Sequence, residues 1–318
     1  MAITISNIYP VTSGGYYPAY NDMVITASSN NTLQTNFKYV VDIYIQSTQV
    51  ARLKYSPDVN GLLSSNVHRI VESYVSSDIN VADVGFARCN NSINQITLKV
   101  GEEYGSTPTV YLNLANKTVY IINTALDIME RKSYDDTNYL TDNNTASFLT
   151  SQSAFDIFSN QNAWVYMIRD TNNKPTKMQI ETFSGYDGGG TSLGKYRVSN
   201  SFATITALGD RFLRFPSGTY NIGNISSGTI TTVSGTLPII AASVVSYKLT
   251  PLDNSNNSVG ACVIYNVRNN NCKYSNYRLH FLNKYGGFDS VNFNMISRET
   301  EMIERQKYKR VYGSNVSN

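Results

Sequence analysis

The sequence predicts a mainly β protein: two β-sandwich- or barrel-like domains, one short amphipathic helix near 65–75, and a short C-terminal helix or arm. Three observations lead there. Charged residues make up only 15% of the 318 residues, against roughly 25% in ordinary globular domains. Polarity comes instead from Asn, Ser, Thr and Tyr, and the abundant Thr, Tyr, Val and Ile suit a pleated, half-buried surface. Segments that alternate apolar and polar residues with period two are separated by Gly, Pro, Asn and Ser clusters that interrupt regular structure. A chain of this length can bury a sizeable core without disulfide or metal staples.

Residues 1–132 read as one β-sandwich-like domain. From Thr35 to Gln46, the side chains of Phe37, Tyr39, Val41, Ile43 and Ile45 share one face, with Lys38, Asp42 and Gln46 on the other. After a four-residue turn, Ala51, Leu53 and Tyr55 oppose Arg52 and Lys54, which makes a β-hairpin by pattern. Ser65 to Val75 carries the helix. Val67, Ile70, Val71, Tyr74 and Val75 recur at helical spacing, and Ser64 or Ser65 is the expected cap. Strands follow over Asn94–Tyr104, Thr109–Leu114 and Thr118–Asn123, with a further short one over Asp127–Arg131.

Residues 133–240 read as a β-rich middle domain, which either follows the first or is inserted into it. Ala163–Arg169 and Lys177–Phe183 read as a hairpin around Asn172-Asn173-Lys174-Pro175, and Gly/Ser/Thr-rich stretches follow, including Gly185 to Gly190 and Ser226 to Gly235. Residues 241–297 are a closing β unit, which either completes the middle domain or packs back onto the first. Within it, Tyr277 to Phe293 reads as strand, Gly286-Gly287 turn and strand, with more rings than a surface hairpin needs. Residues 298–318 are a charged arm. Glu299, Glu301 and Glu304 precede Arg305, Lys307, Lys309 and Arg310, an order that suits the dipole of a short helix.

Composition excludes several classes. A net charge of +3 with scattered Lys and Arg does not mark a nucleic-acid binder. The most apolar window, Leu237 to Val245, is far short of the ~20 residues of a membrane span. Met1-Ala2-Ile3-Thr4 shows no basic segment followed by an apolar run, so no signal peptide is expected. Three cysteines, Cys89, Cys262 and Cys272, make no disulfide framework. Reduced thiols are expected, with a Cys262–Cys272 bridge as the alternative.

No residue set makes a convincing catalytic centre, and neither cofactor nor metal is expected. His68 and Glu72 lie four apart on the helix and read as a solvated pair. Gly190-Thr191-Ser192-Leu193-Gly194 matches the Gly-x-Ser-x-Gly pattern but lacks the strand before and helix after that a nucleophile elbow needs. Gly188-Gly189-Gly190 lacks the lysine and helix of a phosphate loop. Asp170 to Asn173 lacks the acidic spacing of a calcium loop. Glu102 and Glu103 are adjacent on a strand and therefore point to opposite faces. Sugar binding is the remaining small-ligand chemistry, through Trp164, Tyr166, Tyr186 or Tyr220. Trp164 reads first as core.

Three stretches carry a resemblance. They are Tyr17-Pro18-Ala19-Tyr20-Asn21-Asp22 with Asn36 to Tyr44 and Ala51 to Lys54; Gly101-Glu102-Glu103-Tyr104-Gly105; and Leu279 to Asp289. Together they resemble virion proteins of tailed bacteriophages infecting Bacteroides-type hosts, the crAss-like group in particular, over about a third of the chain. The resemblance implies a non-enzymatic structural protein of the virion neck or tail, repeated as a ring or collar beside other tail and portal-proximal proteins. On that reading the chain is made in the host cytoplasm. Phe281, Tyr285, Phe288 and Phe293 are the expected interface residues, with Glu301, Arg305, Lys307, Lys309 and Arg310 from the arm. The alternative is a host-binding fibre or adhesin component that recognises surface glycans.

Overall fold

A computed structural model describes residues 3–10, 12–107, 109–140, 147–169, 174–268 and 276–293. The protein is mainly β, with 46% strand and 12% helix. In chain order the strands are β1 (Ile3–Tyr9), β2 (Tyr16–Pro18), β3 (Val24–Ser29), β4 (Lys38–Ile45), β5 (Thr48–Tyr55), β6 (Leu62–Asn66), β7 (Ala87–Arg88), β8 (Ile93–Tyr104), β9 (Thr109–Ile122), β10 (Ala154–Phe158), β11 (Trp164–Ile168), β12 (Lys177–Phe183), β13 (Ser192–Ser199), β14 (Phe212–Pro216), β15 (Ile230–Ser234), β16 (Ser246–Leu252), β17 (Val263–Arg268), β18 (Tyr277–Leu282) and β19 (Phe288–Phe293). Short helices are α1 (His68–Val71), α2 (Ile128–Lys132) and α3 (Thr219–Gly223).

The first unit sets the three-stranded sheet β1-β3-β6 against the five-stranded sheet β2-β9-β8-β4-β5. The alternation in β4 makes this possible. Tyr39, Val41 and Ile43 are fully buried and meet Ile96, Leu98 and Val100 of β8 in one core. The polar face of β4 is not simply solvated. Asp42 is buried there, and Arg52 of the neighbouring strand clasps it with two bonds of 2.7 and 2.9 Å, the bidentate geometry that guanidinium gives a carboxylate.

The second unit sets the six-stranded sheet β10-β17-β16-β12-β13-β15 against β11-β14-β7. Its core holds Ile157, Val165, Met167, Ile180, Leu213, Phe215, Leu249 and Tyr265. The strands just after residue 240 thus belong to the same sheet as β12 and β13. The two-residue strand β7, from the first stretch of chain, pairs with β14.

A third cluster joins the two units. Tyr16, Ile93 and Ile122, on the outer face of the five-stranded sheet, meet Trp164, Tyr166, Ile168 and Phe212 on the outer face of β11-β14. β11 is therefore buried along its whole length. Odd and even positions feed different cores, as period two dictates.

Three local expectations are corrected. Ala163–Arg169 and Lys177–Phe183 do not form a hairpin: β11 pairs with β14, and β12 pairs with β13 and β16 in the opposite sheet. Asp127–Arg131 is not strand, because the Asp127 side chain accepts from the amides of Met129 and Glu130 and starts α2. The helix after residue 65 begins later than expected, since Ser64 and Ser65 pair with β3 inside β6. It starts at His68 without a side-chain cap bond from Val67.

Charges buried at the junction are held by backbone groups. The Arg169 guanidinium, fully buried at the end of β11, donates to the carbonyls of Lys174, Phe202, Ala203 and Asp210. Burial works against ionisation of Asp210. The Arg88 side chain and the amides of Thr206 and Ala207 outweigh it and hold this carboxyl below its ordinary value. Because the folded pKa is depressed, the stabilisation is complete above the unfolded value and is lost as pH falls through the folded value. Asp210→Asn is therefore expected to cost about 1–3 kcal/mol at pH 7. It should also flatten the loss of stability below about pH 4. Urea denaturation across a pH series checks both, and identical pH profiles for the two proteins would refute the assignment.

Candidate functional site

The aromatic hairpin β18-β19 sits on the joining cluster and uses its two faces differently. Its base is fixed by the turn. Asn283 is buried, accepts from the amides of Tyr285 and Gly287, and donates to the Leu149 carbonyl at 2.9 Å. The Ala125 amide donates to the Lys284 carbonyl, and the Thr124 hydroxyl to that of Tyr285. Lys284 pairs with Glu130 of α2, to which the Tyr285 hydroxyl also donates.

The two glycines are demanded by close approach. Gly286 has φ +84°, a conformation that L side chains rarely adopt. A Cβ there would stand 2.2 Å from the Asn123 carbonyl oxygen. A Cβ on Gly287 would stand 2.7 Å from the Leu149 carbonyl oxygen. The turn is a plug seated between the two units.

This geometry divides the expected interface residues. Tyr285 packs on Tyr139 at 5.3 Å between ring centroids, and Phe288 on Tyr166 at 6.3 Å. Both rings are half-buried against the joining cluster, so their contacts lie within the chain. Phe281 and Phe293 face outward, at 38% and 55% exposed. The cross-strand pairs Tyr277–Phe293 and Leu279–Val291 place three more large apolar side chains beside them, all exposed. Sequence reasoning missed Tyr277, Leu279 and Val291, although period two from Phe281 and Phe293 puts them on the same face. Glu301, Arg305, Lys307, Lys309 and Arg310 lie outside the described residues, as does Cys272. Cys262 is exposed and free.

Arg278 and His280 lie on the opposite face of the ribbon and are half-buried. Burial lowers the Arg278 pKa. Its guanidinium donates to the Asp156 carbonyl, Gln161 and Ser290. His280 stands edge-on to Trp164 at 5.3 Å. Burial, and then the charge of Arg278, push its pKa down.

The residues considered for sugar binding separate as sharply. Trp164 and Tyr166 are buried, and their polar ends donate to the carbonyls of Asn80 and Asp78. Tyr220 is exposed on α3. Tyr186 is 48% exposed and lines a cleft of about 750 Å³ between β10, β17 and β19.

The other motifs take structural roles. His68 contacts Asn66 and Asp22, and Glu72 contacts Arg69, so the two do not pair with each other. Glu102 is buried and accepts from Ser29 and Asn31, while Glu103 pairs with Lys54. Ser192 opens β13 and donates to Glu181. Asp170 to Asn173 lie outside the described residues. Among the described residues, no three His, Cys, Asp or Glu side chains are placed to share a metal ion. No helix there is long and apolar enough to cross a membrane.

Compared with known proteins, the chain matches no family model, and no curated protein is significantly similar to it.

The two faces of the hairpin should respond oppositely to mutation. Gly286→Ala forces a backbone clash and is expected to cost more than about 2 kcal/mol. Phe288→Ala empties part of the joining cluster, at about 2–4 kcal/mol. Phe293→Ser, on the outer face, should stay within about 0.5 kcal/mol. Chemical denaturation of the three variants measures the split. A Phe293→Ser loss as large as that of Phe288→Ala would mean that the outer face is packed within the chain.

Proposed function

We propose that the chain is a non-enzymatic structural component of a bacteriophage virion, assembling with copies of itself into a ring or collar in the neck or tail. One observation carries the reading. Tyr277, Leu279, Phe281, Val291 and Phe293 form a continuous outward apolar face on a hairpin whose base is locked into the body of the protein. Clustered exposed apolar side chains mark interaction surfaces. A face held rigid before association loses little conformational freedom on docking. The resemblance at Leu279 to Asp289, and at the two N-terminal stretches, supplies the virion context.

The occupant of this face is a second copy of the chain. A ring needs a heterologous contact, in which this face meets a different surface of the neighbour and the rotation closes. Aromatic side chains suit such contacts because they bury large area with few rotatable bonds. Other tail and portal-proximal proteins would then meet the finished ring.

Light scattering of the purified protein, with negative-stain imaging of the same sample, is the test. Closed rings are expected. The double variant Leu279→Asn/Phe293→Ser should remain folded and shift to monomer. A wild-type chain that stays monomeric at hundreds of micromolar, or rings that persist in the double variant, would sink this reading.

A further inference from the structure

The cleft beside Tyr186 has the construction of a ligand site, and its chemistry differs from that of the hairpin's outer face. We infer that it binds a neutral oligosaccharide of two or three sugar units.

The segment from Gly185 to Gly190 folds down onto the outer face of the six-stranded sheet. Asp187 takes a left-handed conformation, φ 55°. Its amide donates to Asn266 Oδ1 at 2.8 Å, and Asn266 Nδ2 donates back to Asp187 Oδ1 at 2.7 Å. Ser246 Oγ donates to the Gly185 carbonyl at 2.6 Å and accepts from the Gly188 amide at 3.0 Å. Four bonds from two strand residues thus fix the loop that carries Tyr186. The Arg268 guanidinium lies over the ring at 4.4 Å and also pairs with Asp156 at 2.9 Å. The opposite wall is β19, where Asn292 donates to the Asp156 carbonyl at 2.7 Å.

The lining then selects the ligand. Among the described residues, Asp156 and Arg268 are its only charged groups, and they neutralise each other. An anion such as a phosphate would need an excess of positive charge. Ala154, Phe155, Phe158 and Val291 add apolar wall, but a lipid-like ligand would leave the amides and hydroxyl of Gln152, Asn266, Ser290 and Asn292 facing hydrocarbon. A pyranose has one face of C–H groups and a rim of hydroxyls that both donate and accept. A half-exposed tyrosine ring matches the first. Planar amide, carboxylate and guanidinium groups match the second. About 750 Å³ lies within the range of small-ligand sites and exceeds what a single sugar fills. The platform is held before any ligand arrives, which is what specific recognition of a flexible saccharide requires.

The experiment uses the full chain on an array of bacterial capsular and mucin-type glycans. Hits are then titrated by calorimetry and mapped by saturation-transfer NMR. Neutral glycans should bind. Tyr186→Ala should weaken the best hit tenfold or more with the thermal melt unchanged, and Asn292→Ala should weaken it severalfold. Tyr220→Ala, outside the cleft, should leave it as it was. Binding to no glycan, binding to acidic glycans alone, or a neutral hit indifferent to both cleft substitutions would each overturn the assignment. Glycan binding is read separately from ring formation, and the two cleft substitutions leave the five side chains of the hairpin's outer face in place.

Discussion

The burial of β11 on both faces is the constraint on which the rest of the molecule depends. Val165 and Met167 point into the core of the second unit, while Trp164, Tyr166 and Ile168 point into the joining cluster. A strand in that position needs every polar group near it satisfied inside the protein. The loop from Asp78 to Asn80 supplies carbonyls for the Tyr166 hydroxyl and the Trp164 indole. Arg214 on the neighbouring strand is paired with Asp83 from the same loop. At the strand's end Arg169 binds four carbonyls, and the Tyr16 hydroxyl of the first unit donates to the Arg169 carbonyl. The two units are thus joined by a shared core, and the hairpin plug closes its side.

That joint explains why one hairpin can serve two purposes. The alternation of β18 and β19 puts Arg278, His280 and Phe288 inward, where burial disfavours the charge of the first two, and leaves Tyr277, Leu279, Phe281, Val291 and Phe293 outward. An isolated two-stranded ribbon is marginal in water. Here the Gly286-Gly287 turn, Asn283 and Lys284 anchor it from one end. The anchoring makes an exposed apolar face tolerable without the ribbon collapsing onto it.

Much of the architecture was legible in the sequence because period two survives wherever one sheet face is buried. β4, β5, β8 and β12 follow from it directly. It fails at the junction. Trp164 to Ile168 is apolar at every position, so periodicity could mark a strand but not assign its neighbours, and proximity in sequence wrongly joined it to β12. The partners of β11, Phe212 to Pro216, are about fifty residues away, and only packing decides that pairing. The start of α2 was missed because Asp127 caps through its side chain, a local bond that the strand pattern hid. At the hairpin the aromatic residues were recognised, but their division into inner and outer sets needed the register. Tyr186 was visible only as one ring among several. Its cleft depends on the Asn266–Asp187 contact, which spans 79 residues.

The pairing of β7 with β14 has a consequence for how such a protein can change over time. Ala87 and Arg88 come from the chain's first third, yet they cover one side of a strand in the second sandwich. Severing the two sandwiches would strip that cover and leave β14 with an open row of amides and carbonyls, a template for mispairing. Shuffling either half into another protein would therefore carry a penalty from the moment of exchange. The heritable module is the whole two-sandwich body, and diversification is channelled to places the joint does not reach, such as the outer hairpin face and the Gly185–Gly190 loop.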